Sequence, residues 1–107
     1  MFGFGPRVTS VTPAELESQV AEGKKLTIID VREPWEYAEG HIPGSQLRPL
    51  GQIRDWVSQF DKQAEIHLIC RTASRSAQAY RFMETMGFKN LRNVSGGMVA
   101  WRGPVAR

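Results

Sequence analysis

Residues 66–76 of the chain read IHLICRTASRS. The first four of these residues form a short, mostly apolar segment that is typical of a buried strand, and a helical pattern follows over residues 75–86. Cys70, the only cysteine of the chain, therefore stands where a strand ends and a helix begins. Small polar residues and two arginines follow it at once, and such surroundings suit an anion or a thiolate.

Segments of strand and helix character alternate outward from this stretch. Residues 26–31 are almost continuously apolar, which is typical of a strand in a parallel sheet that helices cover on both faces. The patterns predict strands at 8–11, 26–31, 45–48, 65–70 and 91–94. They predict helices at 13–22, 34–39, 50–60, 75–86 and 98–102. This alternation predicts an α/β sandwich around a mainly parallel central sheet of about five strands.

Two of these helices are predicted from specific residues. Thr12, Pro13 and Glu15 have the spacing of a capping box with proline in the first turn, so a helix should begin there. The helix over residues 50–60 is predicted because apolar residues recur at helical spacing. These apolar residues are Leu50, Ile53, Trp56, Val57 and Phe60.

Composition bounds the function. The 107 residues predict one domain over 8–107, preceded by a loose arm at 1–7. Ten arginines and four lysines give a net charge of +3, and they are scattered, so neither nucleic acid nor a membrane is an expected partner. A single cysteine excludes an internal disulfide, and His41 and His67 are isolated, so no metal site is predicted. The sequence shows no cofactor site.

The start of the chain, MFGFGP, lacks the basic and apolar regions of a signal peptide, and no apolar run approaches the ~18 residues of a membrane-spanning helix. A cytoplasmic location is therefore the expectation. A reducing compartment would also keep the lone thiol of Cys70 free.

The chemistry of the 70–76 loop depends on the state of its thiol. An ordinary cysteine, with a pKa of ~8.5, is mostly protonated at neutral pH. The helix start and the charges of Arg71 and Arg75 favour the thiolate, and the small residues Thr72, Ala73 and Ser74 leave backbone amides free to form an anion-binding nest. The alternative is a small buried hydrophobic residue, which is what a lone cysteine after an apolar strand often is.

Four motifs, in order, resemble those of single-domain rhodaneses over nearly the whole chain. They are LTIIDVRE with WEY (26–33 and 35–37), GHIPGS (40–45), CRTASRS (70–76), and GF, NV and GG through AW (87–101). The resemblance implies a rhodanese-like three-layer sandwich. It also implies a sulfurtransferase that moves a sulfane sulfur from a donor such as thiosulfate to cyanide or a thiol through a persulfide on Cys70.

The resemblance also bears on the reaction. Four residues separate Cys70 from Arg75, whereas related phosphatases and arsenate reductases of this fold carry one more residue in the loop. The shorter loop favours sulfur transfer over phosphate-ester hydrolysis. Ala73 departs from the family, which often has glycine there, and would cost about 1 kcal/mol or more if that position needs a positive φ.

Residue roles follow from the resemblance and the local chemistry. Cys70 is the expected nucleophile, and Arg75 is expected to shape the loop by pairing with Asp30, although Asp30 could equally cap the turn at Val31 and Arg32. His41 and Glu36 are interpreted as structural. The donor, its leaving group and the terminal sulfur are expected to contact Arg71, Thr72, Ala73, Ser74, Arg75 and Ser76. The acceptor could be a small thiol, cyanide or a protein, and a non-catalytic binding module is the alternative of a different class.

Overall fold

A five-stranded sheet forms the centre of the computed structural model, which describes residues 8–107; the predicted arm at 1–7 lies outside the described residues. The strands are β1 (Ser10–Val11), β2 (Thr27–Asp30), β3 (Gln46–Leu47), β4 (Ile66–Ile69) and β5 (Leu91–Val94). Their order across the sheet is β1-β5-β4-β2-β3, and every pairing is parallel. The predicted α/β fold with a parallel sheet is confirmed.

Four α-helices connect the strands. They are α1 (Pro13–Ala21), α2 (Pro34–Glu39), α3 (Ile53–Trp56) and α4 (Ser74–Thr85). The predicted capping box of α1 is present, with the Glu15 amide donating to Thr12 Oγ1 at 3.0 Å and the Thr12 amide donating to Glu15 Oε1 at 2.7 Å. Among the described residues, no helix is both long and apolar enough to span a membrane.

The sheet carries one apolar cluster on each face. In β4, Ile66 and Leu68 point to one cluster, while Ile69 points to the other, because successive side chains of a strand alternate between faces. The first cluster packs α3 and α4 onto the sheet through residues such as Trp56 and Met83. The second packs α1 through its buried Leu16. Apolar cover on both faces explains why β2 and β4 are almost continuously apolar.

The prediction of one amphipathic helix over 50–60 is wrong. The segment is a 3-10 turn at Leu50–Gln52, the short α3, and a second 3-10 turn at Val57–Gln59. The apolar residues of the segment recur mainly every three residues, and that spacing matches the three residues per turn of a 3-10 helix better than 3.6. The last predicted helix is likewise a single 3-10 turn at Gly97–Ala100.

Candidate active site

The thiol of Cys70 lies at the carboxyl end of β4, the central strand of the sheet. Only 1% of the residue is exposed. The chain turns sharply after it and enters α4 at Ser74, one residue earlier than the sequence predicts. Cys70 is therefore positioned by a buried strand before it and a helix start after it, as functional residues of parallel sheets commonly are.

The sulfur accepts hydrogen bonds from the start of α4. The Ala73 amide lies 3.2 Å from Cys70 Sγ, the Ser76 amide lies 3.3 Å from it, and the Ser76 hydroxyl lies 3.4 Å from it. Ala73 occupies the N-cap position, where a side-chain oxygen usually accepts from the first turn, but alanine has none. The sulfur takes over that capping role. Ser76 thus contacts the sulfur through both its backbone amide and its hydroxyl.

These contacts lower the pKa of the Cys70 thiol. Burial raises the pKa of Cys70, but the hydrogen bonds from Ser76, followed by those from the amides of Thr72 and Ala73, outweigh burial. The net result is a pKa below the ordinary value of a cysteine. The loop therefore favours the thiolate, the reactive form of cysteine. The alternative of an inert buried hydrophobic residue does not fit a sulfur with three donors around it.

Arg75 pairs with Glu36, and the prediction that it pairs with Asp30 is wrong. The two guanidinium nitrogens lie 2.7 and 2.8 Å from the two carboxylate oxygens, which is the bidentate geometry of a strong pair. The hydrogen bond from Arg75 lowers the pKa of Glu36 to about 2, and Glu36 raises the pKa of Arg75. The pair joins α2 to α4 across 39 positions of sequence.

Asp30 is already occupied by a nearer arginine. Its carboxylate accepts the Arg32 backbone amide at 3.1 Å and the Arg32 guanidinium at 2.8–3.1 Å. Arg32 also donates to the carbonyl of Gly40 at 2.8 Å. The alternative that Asp30 caps the turn after β2 is confirmed. Asp30 therefore supports the loop only indirectly, by fixing the turn that leads into α2 and Glu36.

Arg71 is the exposed cation of the loop. Within residues 8–107 its guanidinium forms no ion pair and donates no hydrogen bond, whereas Arg75 is neutralised by Glu36. Thr72 and Ser74 are also exposed, so their side chains line the outside of the loop. Of the two arginines of the loop, Arg71 is therefore the one whose guanidinium has no partner among the described residues.

Gly97, part of the GG motif, lies against the other side of the loop. The amides of Met98 and Val99 donate to the carbonyls of Cys70 and Arg71 at 2.9 and 3.1 Å. A Cβ on Gly97 would lie 2.5 Å from both of those carbonyl oxygens. Only glycine permits this close approach, and the GG spacing was the signal that could have revealed it.

Comparison with known proteins identifies the family of this chain. A family model described as the rhodanese-like domain matches residues 12–104. The chain belongs to that family. It is 36% identical to the YtwF protein of Bacillus subtilis over 90% of this chain and 92% of that protein. It is 28% identical to the thiosulfate sulfurtransferase GlpE of Pseudomonas entomophila over 86% of this chain and 83% of that protein.

A solved structure agrees with the assignment. The rhodanese-like domain protein of Staphylococcus aureus superposes with a TM-score of 0.83 at 35% identity, covering 90% of this chain and 93% of the other. The resemblance stated from the motifs is confirmed at the level of family and fold.

His41, in the GHIPGS motif, contacts Tyr37 of α2. His41 Nδ1 lies 2.8 Å from the Tyr37 carbonyl, and the two rings stack with their centroids 3.6 Å apart. These contacts fit the interpretation of His41 as a turn residue rather than a base.

A cavity of about 480 Å³ lies at the opposite, amino-terminal end of β2 and β4, between Lys24 and Glu65. That cavity is therefore separate from the Cys70 site.

The described residues contain no group of three or more metal-ligating side chains.

Proposed function

We propose that this rhodanese-like domain is a sulfurtransferase that carries a sulfane sulfur on Cys70 as a persulfide, with thiosulfate or a similar anion as the donor. The observation that carries the proposal is the set of donors around Cys70 Sγ, with two amides at 3.2 and 3.3 Å. Such donors stabilise the negative sulfur of a thiolate before attack and of a persulfide after it.

The first half-reaction loads the cysteine. The Cys70 thiolate attacks the outer sulfur of thiosulfate, a sulfur–sulfur bond to Cys70 forms, and the sulfur–sulfur bond of thiosulfate breaks. Sulfite leaves with the electron pair of the broken bond. The hydrogen bonds to Cys70 Sγ lower the pKa of the thiol and so favour the thiolate, which attacks without a general base. We therefore assign His41 no role as a base.

The second half-reaction discharges the cysteine. Cyanide or an external thiolate attacks the outer sulfur of the persulfide, takes that sulfur, and returns the Cys70 thiolate. The chain has a single cysteine, so no second thiol of the same chain can resolve the persulfide. We propose that the acceptor lies outside this domain, and a reducing compartment such as the cytoplasm fits a thiol that must stay free between turnovers.

The two arginines of the loop, Arg71 and Arg75, have different proposed roles. Arg71 is exposed, and we propose that it steers the anionic donor and the departing sulfite. Both terminal guanidinium nitrogens of Arg75 donate to the Glu36 carboxylate. Arg75 therefore shapes the loop and is not free to bind a phosphate. This pairing, with the short loop, favours sulfur transfer over phosphate-ester hydrolysis.

The test is the thiosulfate:cyanide assay on the wild type beside Cys70→Ser. We expect thiocyanate formation with the wild type and its loss, by at least about a thousandfold, with Cys70→Ser, because serine at neutral pH supplies no comparable nucleophile. Mass spectrometry of the thiosulfate-treated wild type should show one added sulfur on Cys70 that cyanide removes. Residual transfer by Cys70→Ser, or hydrolysis of a phosphate ester by the wild type, would overturn the proposal.

A further inference from the structure

The backbone carbonyl of Ala73 accepts two hydrogen bonds. Ala73 has φ of +91°, and it is the only non-glycine residue in the described part of the chain with a positive φ. Its carbonyl accepts the Ala77 amide at 3.1 Å, the first hydrogen bond of α4. The same carbonyl also accepts Asn93 Nδ2 at 3.3 Å. The strained residue of the loop is thus held by a side chain 20 positions further along the chain.

Asn93 reaches the loop from a rigid place. It lies in β5, it is 5% exposed, and its own amide donates to the Thr9 carbonyl at 2.8 Å. It pairs in register with Leu68, two residues before Cys70. Paired residues of parallel strands point to the same face, so the Asn93 side chain lies on the face that α4 covers.

Packing alone does not explain an asparagine at this position. Asn93 Oδ1 is buried and accepts no hydrogen bond within residues 8–107. A buried polar atom without a partner is destabilising, and an apolar side chain of the same branching would avoid it. An apolar side chain could not supply the donor to Ala73, and within residues 8–107 this is the one hydrogen bond that the side-chain amide of Asn93 makes.

We propose that Asn93 is a positioning residue of the Cys70 site, and that its amide holds Ala73 in the left-handed conformation in which the Ala73 N–H is directed at Cys70 Sγ. The proposal rests on the proposed role of Cys70 as the nucleophile. An alanine released from this conformation relaxes toward negative φ, where most residues are found. Its N–H then turns away from the sulfur, which is 3.2 Å from it in the structure.

The experiment compares Asn93→Leu, Ala73→Gly and the double variant by the rate of Cys70 alkylation as a function of pH. Leucine keeps the branching of asparagine but donates nothing. With one hydrogen bond to the sulfur lost, we expect the midpoint of alkylation in Asn93→Leu to rise by about half a pH unit. In the Ala73→Gly background the rise should be at most about half as large, because glycine adopts positive φ without help.

Thermal unfolding separates positioning from stability. Asn93→Leu should unfold within a few degrees of the wild type, because it loses one hydrogen bond but also removes the unpaired Oδ1. If Asn93→Leu does not fold, the same comparison is read from Asn93→Ala. Asn90→Ala is the matched control, since Asn90 contacts Arg92 at 3.0 Å, away from the loop, and it should leave the alkylation midpoint unchanged.

An unchanged midpoint in folded Asn93→Leu, or an equal rise in the alanine and glycine backgrounds, would overturn the proposal. Alkylation does not depend on sulfur transfer, so it reports on Asn93 even if the thiosulfate:cyanide assay of the wild type is blank. A blank assay with the expected alkylation shifts would overturn the proposed function and leave the positioning role standing.

Discussion

Two arginine–carboxylate pairs lie near the carboxyl end of the sheet, and they differ in what they connect. Asp30 and Arg32 are two positions apart, and their side chains are 0% and 7% exposed. Glu36 and Arg75 are 39 positions apart, and the Arg75 side chain is 32% exposed. The first pair fixes one turn, whereas the second joins α2 to α4, the helix that begins within the 70–76 loop.

The two pairs differ in how much each contributes to stability and to the environment of Cys70. A fully buried pair is costly to break because its remaining charge has no water around it. A pair that solvent partly reaches contributes less to stability. The Glu36 pair lies close enough to the thiolate that Cys70 raises the pKa of Arg75, so it acts on the electrostatics of the site. We expect the Asp30 pair to dominate stability and the Glu36 pair to tune Cys70.

The largest effect should come from breaking the buried pair. Asp30→Ala leaves the Arg32 guanidinium buried with no counter-charge, so it should lower the free energy of unfolding by about 3–5 kcal/mol. Urea unfolding followed by tryptophan fluorescence measures the loss. The control is Asp30→Ala with Arg32→Met, which removes both charges and should recover part of the stability. A loss under about 1 kcal/mol for Asp30→Ala would contradict the contrast between the pairs.

Breaking the pair that bridges α2 and α4 should cost less and change the site more. Glu36→Gln should lower the free energy of unfolding by about 1–2 kcal/mol, because solvent reaches the Arg75 side of the pair. It also leaves the positive charge of Arg75 without a counter-charge near Cys70, so the thiol pKa should fall further. Alkylation rate against pH measures this shift. A thiol pKa that rises or stays constant in folded Glu36→Gln would disprove the role assigned to the pair.

Acid should break the same pair without a mutation. The bond from Arg75 lowers the pKa of Glu36 from its usual value of about 4.5 to about 2. As the pH falls below about 4.5 the unfolded chain takes up the proton first, so the stabilisation by Glu36, complete above that pH, disappears as the pH approaches 2. Of the stability lost between these pH values, about 1–2 kcal/mol should be absent in Glu36→Gln.

Urea unfolding of both proteins across this pH range provides the measurement. The difference between the two curves removes the contribution of His67, whose pKa is lowered by burial and whose stabilising effect is lost as the pH falls through its ordinary range. His67 is present in both proteins, so it cancels. Parallel curves for the wild type and Glu36→Gln would show that the carboxylate contributes nothing specific in the folded state.

The sequence predicted the structural features that depend on interactions between residues close together in the chain. The apolar run before Cys70 and the small polar residues after it predicted the strand, the turn and the helix start, because each signal lies within a few residues of the feature it specifies. The five strands were predicted for the same reason. The turn at Asp30 and Arg32 was predicted as an alternative, since capping by a strand-end carboxylate is also a local interaction.

The sequence did not predict the partner of Arg75. Asp30 and Glu36 are both carboxylates near the end of β2, and choosing between them requires knowing where α2 lies relative to α4. The Asp30 carboxylate is not available to Arg75, because Arg32 already pairs with it. No sequence signal distinguishes an arginine that will be buried in such a turn. The segment 50–60 failed for a related reason, because apolar residues three apart fit either a 3-10 or an α-helix until packing selects one.

The smallest expected effect concerns Ala73, the residue that departs from the family pattern within the loop. Its φ of +91° confirms that the position requires the left-handed region. Ala73→Gly removes that strain but makes the unfolded chain more flexible, so the free energy of unfolding should rise by only about 0.5–1 kcal/mol. Ala77→Gly, inside α4, is the matched control and should lower it by about 1 kcal/mol. Two losses of equal size would show that the fold supports Ala73 without strain, and the alanine would then be a neutral replacement of the glycine common in the family.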